Sequence, residues 1–322
     1  MATLITGAGL IGTAFAQKAL ERKQTLVFLD SQPREAFLRE RLGRDASFEV
    51  VKADVRDLSA LVEVMRARSI EVVVHTAGLI GKRVAESLQS AFRVNLEGTA
   101  NVAEAVSSTG VRRLVHVSSS GVYDWRRTTD APVTETCARG HGGFYSNFNA
   151  ARELILEAYA GRFGFELAVL RPASVFGVGH FWSGSGTGRR IQELVIGGLR
   201  RERRRVRAED AVRNEYLYAK DLGGAIDRAT VVELPGQCFI NLGTGALIGF
   251  ETLIATLQKL LPGLAVEIEP GGPAPGRTAP LDLSAAKQLL GWQPTHSLES
   301  ALADYIEDLR RIGLDRLDLL QR

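Results

Sequence analysis

Gly7, Gly9 and Gly12 stand in the spacing that suits a diphosphate. In Gly7-Ala8-Gly9-Leu10-Ile11-Gly12 the first glycine permits a tight turn. The second lets the backbone approach a pyrophosphate, and the third lets a helix pack closely on the preceding strand. A helix opening at Leu10 and Ile11 then presents free N–H groups to the anion. A ligand-free glycine turn has the same letters, but here a β-rich run (3–6) precedes it and helical apolar spacing (10–22) follows. Asp30 comes 23 positions after Gly7, at the end of a second β-rich run, 25–29. A carboxylate there accepts from both ribose hydroxyls and repels a 2′-phosphate, which favours NAD over NADP. Arg34 tempers that preference, and the alternative for Asp30 is to cap a helix starting near Pro33. Asp54 and Val55 follow a third run, 48–53. Asp54 either reaches the adenine amino group or is a turn or N-cap residue.

The elements that must position these groups alternate along the chain. Further β-rich runs at 71–75, 113–118 and 165–170 are separated by helical stretches at 58–68, 85–107 and 149–162. Apolar strands between helices imply a parallel sheet covered on both faces. The expected fold is α/β: a Rossmann-type doubly wound sheet with a smaller C-terminal substrate-binding lobe. The NAD-binding domain is expected over 1–174, with core strands continuing to about 245, and the lobe over 175–322, interleaved with the core. Strand signals return at 205–208 and 238–241, and two helices follow the proline- and glycine-rich stretch 270–280. The glycine- and serine-rich segment 177–188 contains His180, Phe181 and Trp182. The stretch reads as a flexible loop or one ordered by ligand, and 180–186 within it as a lid with aromatic contacts or as a loop packed on the second lobe.

Composition removes other classes. With 322 residues, 45% hydrophobic and 24% charged, the chain has a globular balance. Forty basic against 37 acidic residues give a net charge of +3, too even for a nucleic-acid binder. The arginine-rich run 200–207 reads as a solvated helix end or surface strand, with an anion site as the alternative. Cys137 and Cys238 make no disulfide framework, and the five histidines have no metal-binding spacing, so no metal is expected. No signal segment and no run of 18 apolar residues occur, so the expectation is a soluble cytoplasmic protein that binds no membrane.

Further motifs carry a family resemblance almost end to end. They are TGAGLIG at 6–12, ADVRD at 53–57, HTAG at 75–78, NLEGTANVAEA at 95–105, VSSSGVYD at 117–124, LRPASVFG at 170–177, NLGTG at 241–245 and LGWQP at 290–294. The chain resembles the extended short-chain dehydrogenase/reductases of the NAD-dependent epimerase/dehydratase group. The resemblance implies that Ala77, Gly78, Pro172, Ser174 and Val175 lie along the cofactor and that Asn95 supports the site. It makes Ser119 the catalytic serine, four residues before Tyr123, with Ser118 and Ser120 as neighbours that blur the assignment. It makes Tyr145, 26 positions after Ser119, the general acid/base. Arg213 and Arg277 resemble a pair of arginines that contact a sugar-nucleotide diphosphate. They also suit a carboxylate, or serve as surface ion-pair partners. Substrate contacts are expected from Ser119, Ser120 and Ser174, although many nucleotide-sugar enzymes carry asparagine at the position of Ser174. A homodimer is implied through helices near 85–107 and 149–162, with Leu154, Ile155 and Ala158 on or beside the apolar face. That stripe equally suits packing on the sheet.

One motif is broken. The tyrosine is normally the first residue of YxxxK, but Tyr145-Ser146-Asn147-Phe148 is followed by Asn149. A literal YxxxK from Tyr216 to Lys220 lies in the wrong place, just before Asp221. A lysine ammonium about 4–5 Å from a phenol contributes about 3–4 kcal/mol to the phenolate at an effective dielectric near 20. Asparagine still hydrogen-bonds a ribose but supplies no charge. Three explanations stay open: an engineered substitution, a natural variant with another cation nearby, or a protein that binds NAD without turnover. Asn149→Lys is expected to raise turnover at pH 7 by roughly two to four powers of ten.

The leading expectation is therefore an NAD-dependent epimerase/dehydratase-type oxidoreductase. It would move a hydride at a sugar or nucleotide-sugar hydroxyl, with Ser119, Tyr145 and Asn149 at the catalytic centre. The alternatives are an NAD-dependent dehydrogenase of a small polyol, sugar acid or hydroxy acid, and a non-catalytic NAD-binding protein.

Overall fold

The computed structural model describes residues 1–179, 185–272, 276–314 and 316. In chain order the strands are β1 (Ala2–Thr6), β2 (Thr25–Asp30), β3 (Glu49–Lys52), β4 (Val72–His75), β5 (Arg113–Val117), β6 (Glu166–Pro172), β7 (Ser174–Phe176), β8 (Arg203–Val206), β9 (Tyr216–Tyr218), β10 (Gln237–Leu242) and β11 (Ala265–Ile268). The α-helices are α1 (Leu10–Glu21), α2 (Glu35–Leu42), α3 (Leu58–Ala67), α4 (Lys82–Glu86), α5 (Leu88–Phe92), α6 (Gly98–Thr109), α7 (Phe144–Phe163), α8 (Gly186–Arg200), α9 (Ala219–Val231), α10 (Phe250–Leu260), α11 (Ser284–Leu290) and α12 (Leu298–Ile312).

Seven strands form one parallel sheet in the order β10-β6-β5-β4-β1-β2-β3. The order reverses between β1 and β4, and a doubly wound sheet opens a crevice at that point, beyond the carboxyl ends of its strands. Side chains alternate across the sheet, so neighbouring residues enter different cores. Ile5, Val72 and Val74 pack with Phe15, Leu222 and Ile226 of α1 and α9. Leu4, Val27 and Val73 pack with Leu61, Val102 and Leu156 of α3, α6 and α7. Both faces are covered, as the apolar strands require.

After β7 the chain builds a second core. Phe176, Leu194, Tyr218, Phe250, Leu302 and Tyr305 form a separate cluster joining α8, α10 and α12. The chain still returns to the main sheet, with α9 against α1 and β10 beside β6. The arginine-rich run becomes the end of α8 and the surface strand β8. Its side chains pair with Glu202, Glu267, Glu209 and Asp210, which fits the solvated reading.

One element differs from expectation. The stretch 85–107 is not one helix. Ser87 has an extended backbone, and its hydroxyl caps α5 by accepting from Ser90 N–H. A π-helical turn, Arg93–Glu97, then separates α5 from α6. Apolar spacing shows neither feature: residues 85–90, around the Ser87 break, are exposed, and the π turn buries the polar Asn95.

Candidate active site

A cavity of about 740 Å³ opens at the β1/β4 reversal. Its lining includes Gly7, Gly9, Leu10, Ile11, Asp30, Asp54, Val55, Ala77, Gly78, Ser119, Tyr145, Asn149, Pro172, Ser174, Val175 and Arg277. Gly12, Asn95, Ser120 and Arg213 do not line it.

The glycine turn has the geometry a dinucleotide needs. Gly7 has φ +94°, and a Cβ there would lie 2.7 Å from Thr76 Oγ1. A Cβ on Gly12 would lie 2.3 Å from Gly7 O, so this glycine is needed for packing. A Cβ on Gly9 would meet nothing within 4 Å, and Gly9 is the N-cap of α1 with no side-chain cap. The first N–H groups of α1 are thus left for an anion. Asp30 accepts from Ala8 N–H at 2.8 Å and from Gln32 N–H at 2.8 Å. It does not cap α2, whose N-cap is Arg34. Its carboxylate is fixed against the glycine turn, where a ribose would lie. Asp54 is gripped by Arg56, whose Nε and Nη2 donate at 2.9 and 2.7 Å. Those bonds hold the Asp54 carboxyl below the usual range. The cap of α3 is Asp57, which accepts from Ala60 N–H. These residues fit NAD.

Asn95 acts on the loop after β4 from behind the cavity. Its Oδ1 accepts from Leu79 N–H at 2.7 Å and its Nδ2 donates to Leu79 O at 3.0 Å. The π turn carries this side chain, and such turns recur at functional sites.

The three serines after β5 have separate partners. Ser118 Oγ donates to Glu153 Oε1 at 2.6 Å. Ser120 Oγ accepts from Arg277 Nη2 at 2.8 Å. Among the described residues Ser119 Oγ accepts only from the local Gly121 N–H, at 3.0 Å, and it lines the cavity. Tyr145, the second residue of α7, is 39% exposed. A Cβ on Gly121 would lie 2.9 Å from Tyr145 Cε1 and 3.3 Å from Ser119 Oγ. The glycine therefore leaves room for this serine and this tyrosine to come together.

Asn149 Nδ2 donates to Tyr145 O at 2.9 Å, one turn back on α7. The literal YxxxK lies elsewhere. Tyr216 is buried in the second core, where burial pushes its phenol up to about 12. Lys220 pairs with Asp304 and Asp308. Asp221 accepts from Thr295 and His296.

Arg277 is half-buried beside Ser120, with its guanidinium 4.5 Å from the centre of the Trp125 ring. Its Nη1 is buried and takes no partner among the described residues. Burial pulls this guanidinium down to about 10, against the opposing pull of Glu215 and Tyr145. Arg213 is exposed, and its Nη2 donates to Arg277 O at 3.2 Å. The structure thus does not bring both arginines to the cleft: Arg277 lines it, and Arg213 braces the segment that carries Arg277. Ser174 Oγ lies 3.1 Å from Asn214 Oδ1. In the lid candidate, His180, Phe181, Trp182, Ser183 and Gly184 lie outside the described residues. Ser185 Oγ caps α8 by accepting from Gly188 N–H.

Sequence reasoning missed one lining residue with a charge at the centre of the site, Arg152. Its Nε donates to Thr99 Oγ1 at 3.0 Å, and its Nη2 donates to Ala77 O at 2.9 Å and His75 Nε2 at 3.2 Å. The available signal was its spacing of seven from Tyr145, which puts both on one helix face. Among the described residues no group of three or more His, Cys, Asp or Glu is arranged to hold a metal ion. No described helix is long and apolar enough to cross a membrane.

The family model described as "NAD dependent epimerase/dehydratase family" matches residues 3–242. The chain is 30% identical to a UDP-glucose 4-epimerase of Mycolicibacterium smegmatis, over 96% of this chain and 99% of that one. It is 29% identical to a UDP-glucose 4-epimerase of Bacillus subtilis, over 94% and 95%. Among solved structures, a UDP-glucuronic acid 4-epimerase from Bacillus cereus, with UDP-glucuronic acid and NAD, superposes with a TM-score of 0.83 at 20% identity. That match covers 97% of this chain and 100% of the other.

Proposed function

The chain belongs to the NAD-dependent epimerase/dehydratase family, and from that premise we propose that it is a cytoplasmic epimerase of UDP-sugars. The cofactor is NAD. The observation that carries the reading is the approach of Ser119 and Tyr145 around Gly121, in the same cavity as the glycine turn and Asp30.

Bound NAD supplies a two-electron acceptor and donor for the hydride at a sugar carbon. The protein's own work is proton transfer and orientation. Tyr145, as phenolate, takes the proton of the sugar hydroxyl while the C–H hydride leaves the same carbon, and it returns the proton after the ketone has turned over. Ser119 Oγ hydrogen-bonds that oxygen and polarises it. The unpartnered Nη1 of Arg277 pairs with an anionic group of the substrate. Asp30 holds the adenosine ribose. Exposed apolar side chains on α5 and α7, Phe92 at 54% and Leu154 at 55%, support a homodimer through these helices.

A second reading, a dehydrogenase of a sugar acid, is favoured by one feature. Arg277 bonds Ser120 and lines the same cavity as Ser119 and Tyr145, and a guanidinium there suits a carboxylate on the reacting sugar as well as a diphosphate. UDP-glucose and UDP-glucuronate, each incubated with the NAD-loaded enzyme and followed by proton NMR, separate the readings. The epimerase yields the C4 epimer at equilibrium with catalytic NAD, and Tyr145→Phe abolishes it. A ketone formed with one reduced cofactor per turnover supports the dehydrogenase. Binding without conversion of either sugar would leave a non-catalytic protein.

A further inference from the structure

Asn149 leaves the Tyr145 phenol without an ammonium one turn along α7, yet the same helix face carries a cation one turn later. Residues 145 and 152 are separated by about 10.5 Å along the axis and about 20° around it. Helical side chains lean toward the N-terminus, so the Arg152 guanidinium leans back toward the level of Asn149. It is buried and lines the cavity with Tyr145, Asn149 and Ser119.

Its partners are all neutral: Thr99 Oγ1, Ala77 O and His75 Nε2. No carboxylate forms an ion pair with it among the described residues. Glu153, its sequence neighbour, accepts instead from Ser118, Arg139 and Arg171. Nη1 takes no hydrogen-bond partner among the described residues. It would lie 3.1 Å from a Cβ on Gly78, which lines the cavity just after β4. A buried cation without a counter-charge is costly. The phenolate that catalysis requires of Tyr145 is an anion on the same helix face and in the same cavity.

We propose that Arg152 replaces the missing lysine: it supplies the positive charge that stabilises the Tyr145 phenolate, and its Nη1 donates to the nicotinamide ribose when NAD is bound. This rests on the epimerase/dehydratase reading, in which Tyr145 is the acid/base.

The groups facing Arg152 leave that charge in place. On α7 they are Tyr145 and Glu153, and both favour the protonated guanidinium. Burial pulls Arg152 down to about 10, so it remains charged at neutral pH. From β4 and β5 come His75 and His116, stacked at 5.3 Å. Burial and then the charge of Arg152 hold both imidazoles well below the usual range, so they are neutral. His75 Nε2 lies within hydrogen-bond distance of both Arg152 Nη2 and Thr99 Oγ1, and its Nδ1 faces Thr6 Oγ1. Arg277 is the second guanidinium in electrostatic reach of Tyr145, but its Nη2 is committed to Ser120 and its charge also faces Glu215.

The test is a pH titration of NAD-loaded protein labelled with ¹³Cζ-tyrosine. The Tyr145 resonance is assigned by its loss in Tyr145→Phe, and NAD affinity is measured by calorimetry on the same samples. Arg152→Gln should move the Tyr145 midpoint up by roughly 1–2 pH units and weaken NAD binding. Turnover at pH 7 should fall roughly 10- to 100-fold with less effect on KM, and recover as pH rises. Arg152→Lys should retain most of the wild-type midpoint. Asn149→Lys in the Arg152→Gln background should restore it, because the charge is then back at the usual family position. An unmoved midpoint in a folded Arg152→Gln variant would overturn the proposal, as would failure of the double variant to recover. If Arg152→Gln does not fold, Asn149→Lys alone decides. It should shift the midpoint by less than about half a unit where Arg152 already supplies charge, and a shift of about 1.5 units or more would show that no cation acts there. The titration needs no substrate, so a wild-type protein inactive on UDP-sugars but with the expected midpoints would sink the functional reading and leave Arg152's role standing.

Discussion

Ser118, Ser119 and Ser120 are chemically alike and adjacent, yet their hydroxyls go to Glu153, to the cavity and to Arg277. Their substitutions should therefore differ in kind. Ser119→Ala should lower kcat by roughly 10²–10³-fold with little change in KM, because a hydrogen bond to the reacting oxygen strengthens in the transition state. Ser120→Ala should mainly raise KM, by loosening Arg277. Steady-state kinetics on the two variants checks this, and equal kcat effects would refute the assignment. Asp30 makes a separate prediction. With its carboxylate fixed by Ala8 N–H, calorimetry should show NAD binding at least about tenfold tighter than NADP, and Asp30→Ala should narrow the gap. Tighter NADP binding in the wild type would instead assign Arg34 a phosphate.

At the level of elements, α7 carries Tyr145, Asn149 and Arg152 and is pinned to the sheet by a buried charge cluster. Glu153 accepts from Arg171 of β6 at 2.7 Å and from Arg139 at 3.0 Å. Removing one member of such a cluster strands the others in low dielectric, at a cost of about 3–5 kcal/mol. Glu153→Leu should accordingly lower the thermal midpoint by roughly 5–10 °C, and an unchanged melting curve would contradict this. The elements differ in how far the sequence reveals them. The glycine turn, Asp30 and the strand–helix alternation were legible because their signals are local: turn chemistry, charge and apolar period. Ser119 and Tyr145 were legible only through the family resemblance. Arg152 was not read at all, although its spacing from Tyr145 is visible. Its meaning depends on β4 bringing Ala77 and Gly78 over the helix, a contact between residues about 75 positions apart. The break in 85–107 was hidden for a related reason. The π turn there serves Asn95's hold on Leu79, which lies outside the helix.

For the whole molecule, the sheet and second core enclose one side of the reaction while α5 and α7 leave an apolar face outside. Of the expected stripe, Leu154 and Ala158 are exposed and Ile155 is half-buried, whereas the neighbouring Leu156 and Ala160 pack on the sheet. Light scattering at micromolar concentration should give twice the 35.0 kDa chain mass, and Leu154→Glu should give the monomer. A monomeric wild type would dispose of the dimer. The central claim is that the enclosed site removes a hydride from a sugar carbon and returns it to the same carbon. It is tested most directly with UDP-glucose deuterated at C4, incubated with the NAD-loaded protein and analysed by NMR and mass spectrometry. The account predicts a C4 epimer that keeps its deuterium at C4, with no reduced cofactor released. An epimer that has exchanged its deuterium for solvent hydrogen, or a ketone released together with reduced cofactor, would contradict it.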